Sequence, residues 1–246
     1  MPIDKIIDGG KMNEVQEDIL RKLMHKPGQS FNKLWNKEIE SNKFAYHLKK
    51  LREENLIRKD DEEYFLTHEG KKHSSKVDGK SGKKTETPLS TVVVVLEKDG
   101  KVLMQQRKKE PFYDYWGFPS GKIEFDQYIM EAAKSELKEE TGLEAEEFNL
   151  SGLLCSKTYN NGDLSYNHHL FVVKASEPKG ELIERDREGK NEWVDKEEVK
   201  KLKSFPDVLN LLNIAMSEEF KVLQGDRYQK DDEFEDKGKL KDIVKK

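Results

Sequence analysis

The stretch that decides the fold is WGFPSGKIEFDQYIMEAAKSELKEETGL, from Trp116 to Leu143. Between Tyr128 and Thr141 it holds no Pro or Gly, Ala132 and Ala133 favour helix, and Gly142 is placed to end it. Ile129, Ala133 and Leu137 recur at i, i+4 and i+8 and predict a buried face. Glu136, Glu139 and Glu140 fall at i, i+3 and i+4, so three carboxylates crowd one side of the last two turns. Each like-charge pair at i,i+4 costs a few tenths of a kcal/mol on an exposed helix. A divalent cation offsets that repulsion, and Mg2+ held by one or two carboxylates keeps positions open for substrate phosphates.

Outward from this segment, STVVVVLEKDGKVLMQQR predicts a hairpin: a strand from Thr91 to Glu97, a Lys98-Asp99-Gly100 turn, and a strand from Val102 to Arg107. Downstream, strands are expected near Leu150 to Thr158 and Leu170 to Ala175, then a helix from about Lys196 to Met216. From about Gly225 the chain is dominated by Lys, Asp and Glu and reads as a mobile tail or a solvated helix. The adjacent His168 and His169 point to opposite faces of a strand, with no ligand-spaced partner, and read as a strand end rather than a metal pair. Trp116, Phe118 and Trp193 read as core or pocket wall, and Tyr113 and Tyr115 as candidates to stack on a base. Cys155, the only cysteine, excludes an internal disulfide framework and a multi-cysteine zinc site. It reads as a small core residue.

In register with one another stand Gly121, Glu136, Leu137, Glu139, Glu140, Gly142 and Leu143. This resembles the Nudix box: Gly, five residues, Glu, seven residues, Arg-Glu-apolar-any-Glu-Glu-any-Gly-apolar. The flanks GKVLMQQRKKEPFYDYWGFPSGKIE and NEWVDKEEVKKL resemble that family's hairpin, its Trp-x-Phe-Pro-x-Gly turn and its later strand and helix, so the resemblance covers roughly residues 88 to 217. Two positions depart from the box. Gln127 stands where an early Glu is expected, and Ser135 where the Arg that orients the glutamates is expected. Because an acidic and a basic position are lost together, neither change leaves an unpaired charge. The resemblance implies Mg2+ or Mn2+ held by Glu136 and Glu140, with Glu139 as a further ligand or the base that activates water. It also implies the Ser120 carbonyl and Gly121 beside the substrate, Arg107 on phosphate or simply exposed, and Glu188 as a loop-borne catalytic residue.

Residues 12 to 70 precede this region with three short helical patterns and two small strands, Leu56 to Lys59 and Glu63 to Thr67. The order resembles a winged helix-turn-helix, with SNKFAYHLKKLREENLI as recognition helix and exit. Asn42, Lys43, Tyr46, His47, Lys49 and Lys50 are its polar or basic residues, suited to duplex DNA in a major groove, while Phe44, Leu48 and Leu51 face inward. A protein-binding or homodimerising role is the alternative. Residues 1 to 87 carry 19 Lys plus Arg against 16 Asp plus Glu, a net +3; the remainder carries 26 against 33, a net −7. That imbalance matches an anionic polymer for the first part and a metal with its ligand for the second.

The expected class is thus α+β: a winged helix-turn-helix over 10–72, a flexible linker over 73–87, a Nudix-type α/β/α sandwich with a mixed sheet over 88–220, and a charged tail over 221–246. No apolar run approaches the roughly 20 residues that cross a bilayer, and the start lacks the basic-then-apolar order of a secretion signal, so a cytoplasmic protein is expected. Two functions are in view. One is a magnesium-dependent hydrolase that cleaves the diphosphate of a nucleoside diphosphate derivative, fused to a DNA-binding domain. The other is a transcription regulator whose second domain senses a nucleotide with little turnover.

Overall fold

The structure, a computed structural model, describes residues 12–77, 86–185, 189–231, 233–235 and 239–243. The chain divides into two compact units, Met1–Glu86 and Thr87–Lys246.

In the first unit the order is α1 (Glu14–His25), β1 (Gln29–Ser30), α2 (Phe31–Leu34), α3 (Ser41–Glu53), β2 (Ile57–Asp60), β3 (Glu63–Leu66) and α4 (His68–Ser74). Asn13 caps α1 by accepting from the Val15 and Gln16 amides. The expected inward face of α3 holds: Phe44, Leu48 and Leu51 are buried with Ile19, Leu23 and Leu34 in one core. The strands form a small antiparallel sheet in the order β1-β3-β2. Helix α4 intrudes on the expected linker, and residues 78–85 of that linker lie outside the described residues. Thr67 nucleates α4 by accepting from the Gly70 amide at 3.0 Å. Gly70 sits so close to the Leu56 carbonyl that a Cβ there would lie 1.9 Å from its oxygen.

The second unit continues with β4 (Leu89–Lys98), β5 (Lys101–Arg107), β6 (Trp116–Gly117), β7 (Ser120–Lys122), α5 (Ile129–Thr141), β8 (Glu144–Asn160) and β9 (Asp163–Lys179). After these come β10 (Gly189–Asp195), α6 (Val208–Ala215), β11 (Lys221–Lys230), β12 (Glu233–Phe234) and β13 (Lys239–Asp242). All ten strands share one mixed sheet, in which β4 runs parallel to β9 and β11 parallel to β8. The four valines of β4 are buried on both sides of the pleat, as befits a strand with both sheet faces covered. Val92, Val94 and Leu96 join Ala132, Ala133 and Leu137 of α5, whereas Val93 and Val95 join Leu211, Ile214 and Ala215 of α6. The unit is therefore helix, sheet, helix in layers. The outer side of β10 is partly covered: its Asn191 amide donates to the Glu184 carbonyl at 2.8 Å, and Arg185 bridges to Lys190.

Three expectations change. The single helix from Lys196 to Met216 is a 3-10 turn at Val199–Lys201 followed by α6, with Pro206, which cannot continue a helix, between them. His168 lies within β9 and pairs with Ser156 of β8, not at a strand end. The segment from Lys221 is no solvated tail; β11 pairs with β8 from Lys221 to Gln229. Beyond Leu223 its buried residues are polar, Arg227 and Gln229, so hydrophobic periodicity gave no signal. Arg227 is buried against Asp207 at the start of α6, and the two form an ion pair with side-chain exposures of 8% and 3%.

Breaking one side of a buried ion pair strands the other charge. Arg227→Ala is expected to destabilise the unit by roughly 3 to 5 kcal/mol in urea unfolding. The double change Asp207→Leu with Arg227→Met is expected to recover most of that loss.

Candidate functional site

The site forms where α5 leans on β7. Helix α5 starts at the N-cap Tyr128, whose amide donates to Glu131 at 2.9 Å, and stops at Gly142, whose φ of 74° is the left-handed conformation that glycine adopts without strain. Its buried face fixes the rotation of the helix, so Glu136 and Glu140, one turn apart, both turn toward β7. The Ser120 amide donates to Glu140 Oε2 at 3.1 Å. Glu136 packs directly on Gly121: a Cβ there would lie 1.9 Å from its carboxyl carbon. Any larger residue at 121 would displace Glu136.

Two carboxylates are thereby held together in a half-buried place. Burial, then the charge of Glu136, push the Glu140 carboxyl up to about 7, against the pull of the Ser120 amide, Lys109 and Arg107. Burial, then Glu139, also raise Glu136, while Lys109 lowers it. Arg107, at the end of β5, is itself lowered by burial while Glu140 and Glu110 hold it up, and its Nε donates to the Pro111 carbonyl at 3.1 Å. Arg107 is thus part of this constellation and not a bystander. Lys109 was not singled out from the sequence, because in RKKEP nothing separates it from its basic neighbours.

Glu139 accepts from the Ser135 hydroxyl at 2.6 Å on the exposed side of the helix. Gln127 accepts from the Glu124 amide at 3.2 Å and so closes the loop before α5. Glu188 lies outside the described residues. Tyr115 is buried, with its hydroxyl on Glu233 at 2.5 Å, so it is not free to stack on a base; Tyr113 is exposed, with Lys108 over its ring at 5.3 Å. Trp116 and Phe118 are core residues and Trp193 packs against the α5 layer.

The donor set suits a hard divalent cation. Two carboxylates whose protonation is favoured by confinement and mutual repulsion lack a positive charge between them, and Mg2+ needs no more than one or two protein carboxylates. Among the described residues no group of three or more His, Cys, Asp or Glu side chains is placed to hold a metal ion.

With this geometry in place, comparison with known proteins is decisive. The NUDIX domain family matches residues 86–212. The chain belongs to the Nudix family. Its first unit matches, over residues 12–77, a family described only as a domain of unknown function. The Nudix region is 32% identical over 108 residues to an ADP-ribose pyrophosphatase of Methanocaldococcus jannaschii, taking in 42% of this chain and 61% of that protein. It is 26% identical over 122 residues to an uncharacterized Nudix hydrolase, YvcI, of Bacillus subtilis, with 50% of this chain and 75% of that one covered. The crystal structure of a mutator MutT protein from Bacillus halodurans superposes with a TM-score of 0.52 at 27% identity, over 62% of this chain and 97% of that one. The mixed, helix-covered sheet is thus the Nudix fold.

A carboxyl raised in the folded state destabilises that state once ionised. It costs nothing below the unfolded value near 4.5 and its full amount above the folded value of about 7. Glu140→Gln is accordingly expected to stabilise the metal-free protein by roughly 3 kcal/mol at pH 8, and to leave it unchanged at pH 4. Urea unfolding in a chelator at the two pH values measures this.

Proposed function

We propose that the second unit hydrolyses the diphosphate of a nucleoside diphosphate derivative, with ADP-ribose as the first compound to test. The observation that carries this reading is the pair Glu136 and Glu140 turned onto the Ser120–Gly121 backbone, together with the Nudix family membership. The name of the Methanocaldococcus jannaschii relative supports the choice of compound. Glu136 and Glu140 bind Mg2+ or Mn2+, with the Ser120 carbonyl alongside. An ion held there would supply charge neutralisation for the diphosphate and orientation for the attacking water. Ser120 holds Oε2 of Glu140 through its amide, Arg107 binds phosphate oxygens, and Glu139 accepts the proton of the attacking water at a carboxylate oxygen.

One observation favours a second reading. Ser135 donates to Glu139, and Gln127 accepts from the Glu124 amide, so neither lends the support that the Nudix box normally supplies at those positions. On this reading the unit senses the nucleotide with little turnover. Incubation of the full chain with ADP-ribose and Mg2+ or Mn2+ separates the two. Hydrolysis that Glu140→Gln lowers by more than about 100-fold, beyond the ~10 to 100-fold typical of outer supporting groups, supports the enzyme. Tight binding without turnover supports the sensor.

For the first unit we propose a winged helix-turn-helix that binds duplex DNA through α3, in a protein of the cytoplasm. The order of three helices followed by the β2–β3 hairpin supports this, as do Asn42, Lys43 and Tyr46, all exposed on α3. His47 contributes less, since its Nε2 lies 3.4 Å from the Asn13 side chain. Lys43 and Lys50 pair loosely with Glu40 at 3.8 Å and Glu53 at 3.7 Å, contacts that phosphate can replace. The full chain is expected to retard duplex DNA with a steep salt dependence, and Lys43→Glu with Lys50→Glu to reduce the slope of log affinity against log salt by about 2. No shift even at low salt counts against DNA binding.

A further inference from the structure

The Arg that orients the glutamates in the Nudix box is replaced here by Ser135, whose hydroxyl is engaged by Glu139 and not by Glu140. Glu140 is steadied from its other end. Asn191 of β10 is 2% exposed, and its Nδ2 donates to the Glu140 carbonyl and to the Ile183 carbonyl, each at 2.8 Å. The Glu140 carbonyl lies in the last turn of α5, where carbonyls lack a helical partner and must be met from outside. One planar nitrogen carrying two hydrogens meets both carbonyls at once. Aspartate has no donor in place of that nitrogen, leucine has none at all, and serine has one.

Asn191 is itself held through its backbone. Its amide donates to the Glu184 carbonyl at 2.8 Å, and it stands directly across from Gln105 of β5. The approach of the two strands is close: a Cβ at Gly189 would lie 2.3 Å from the Gln106 carbonyl oxygen. Gln105 shares a face with Arg107 two residues on, so one strand pair carries both the arginine that faces Glu140 and the amide that fixes it.

We propose that Asn191 is the positioning residue for Glu140, setting the carboxylate through its backbone in place of the arginine this chain lacks. The proposal rests on the reading of Glu136 and Glu140 as metal ligands. It differs from that reading in placing the control of metal affinity on β10, outside the Nudix box. The end of α5 is pinned by Asn191 on its carbonyl and by Ser120 on its carboxylate, so the side chain spans two fixed points. Losing the first lets the last turn move and widens the range of positions that Oε2 samples.

Mn2+ binding to the full chain, followed by the loss of the free-ion electron spin resonance signal, tests this without requiring turnover. Asn191→Leu is expected to bind Mn2+ about 10 to 100-fold more weakly than wild type, the range typical of groups that orient metal ligands. Asn191→Ser, which keeps one donor of shorter reach and leaves room for water to meet the carbonyls, is expected to fall between them and keeps the test open if the leucine variant does not fold. Val199→Ala opens a cavity in the core on the α6 side and controls for general loss of stability. Its Mn2+ affinity is expected to stay within twofold of wild type. Asn191 variants that bind as wild type does, or a Val199→Ala loss as large as theirs, would overturn the positioning role alone. A wild-type protein that binds no Mn2+ overturns the metal reading, and this inference with it.

Discussion

The Nudix unit depends on a contact between a helix carboxylate and a strand amide. When the Ser120 amide takes Glu140 Oε2 and Gly121 admits Glu136 against its Cα, the last turns of α5 are tied to β7, and through β7 to β4 at the centre of the sheet. That tie is possible only because α5 is already rotated by Ala133 and Leu137, which reach the core between the same strands. Packing sets the direction of the acidic face, and the backbone of the preceding loop then receives it. The result is electrostatically costly: two carboxylates share a half-buried space, and the nearest positive charges, Lys109 and Arg107, do not bring Glu140 back to the usual carboxylate range.

Arg107 ends β5 and Lys109 lies in the segment that joins β5 to β6, and the way that segment is held links the site to the far end of the unit. Phe112 and Asp114 adopt φ values of 70° and 72°, left-handed conformations that a non-glycine residue holds only when its surroundings insist. Phe112 stacks on Phe234 with ring centroids 5.4 Å apart and meets Phe205 and Tyr166 edge-on. The Phe234 amide donates to the Tyr115 hydroxyl at 3.2 Å. Strand β12, beyond the span matched by the family, therefore braces a loop whose start lies beside the carboxylates.

Much of this was legible in the residues themselves. The β4–β5 hairpin, α5 with its glycine stop, and the inward residues of α3 all follow from periodicity and caps, because each element is chiefly an apolar face meeting a core. Glu136, Glu140, Ser120, Gly121 and Arg107 were named through the resemblance to the Nudix box and its flanks, and the structure gathers them. What escaped has a common cause. Strand β11 buries Arg227 and Gln229 where a strand is expected to bury apolar groups; α4 depends on a contact between Gly70 and Leu56; Asn191 acts through carbonyls 51 and 8 residues distant. Polar burial is decided by a specific partner, and the spacing of apolar residues carries no sign of such a pair. Glu139 keeps the place that spacing gave it: its charge raises Glu136, and its carboxylate accepts from the Ser135 hydroxyl.

The segment alongside β10 has a consequence for the behaviour of the protein in solution. An outermost strand offers a row of open amides and carbonyls, and a second chain that lies along it extends the sheet from molecule to molecule. Here Glu184 and Arg185 occupy part of that row, and Lys190 and Glu192 place opposite charges beside it. Intermolecular strand addition at this border must first displace the protein's own chain, and the same short segment that meets Asn191 thereby guards against aggregation.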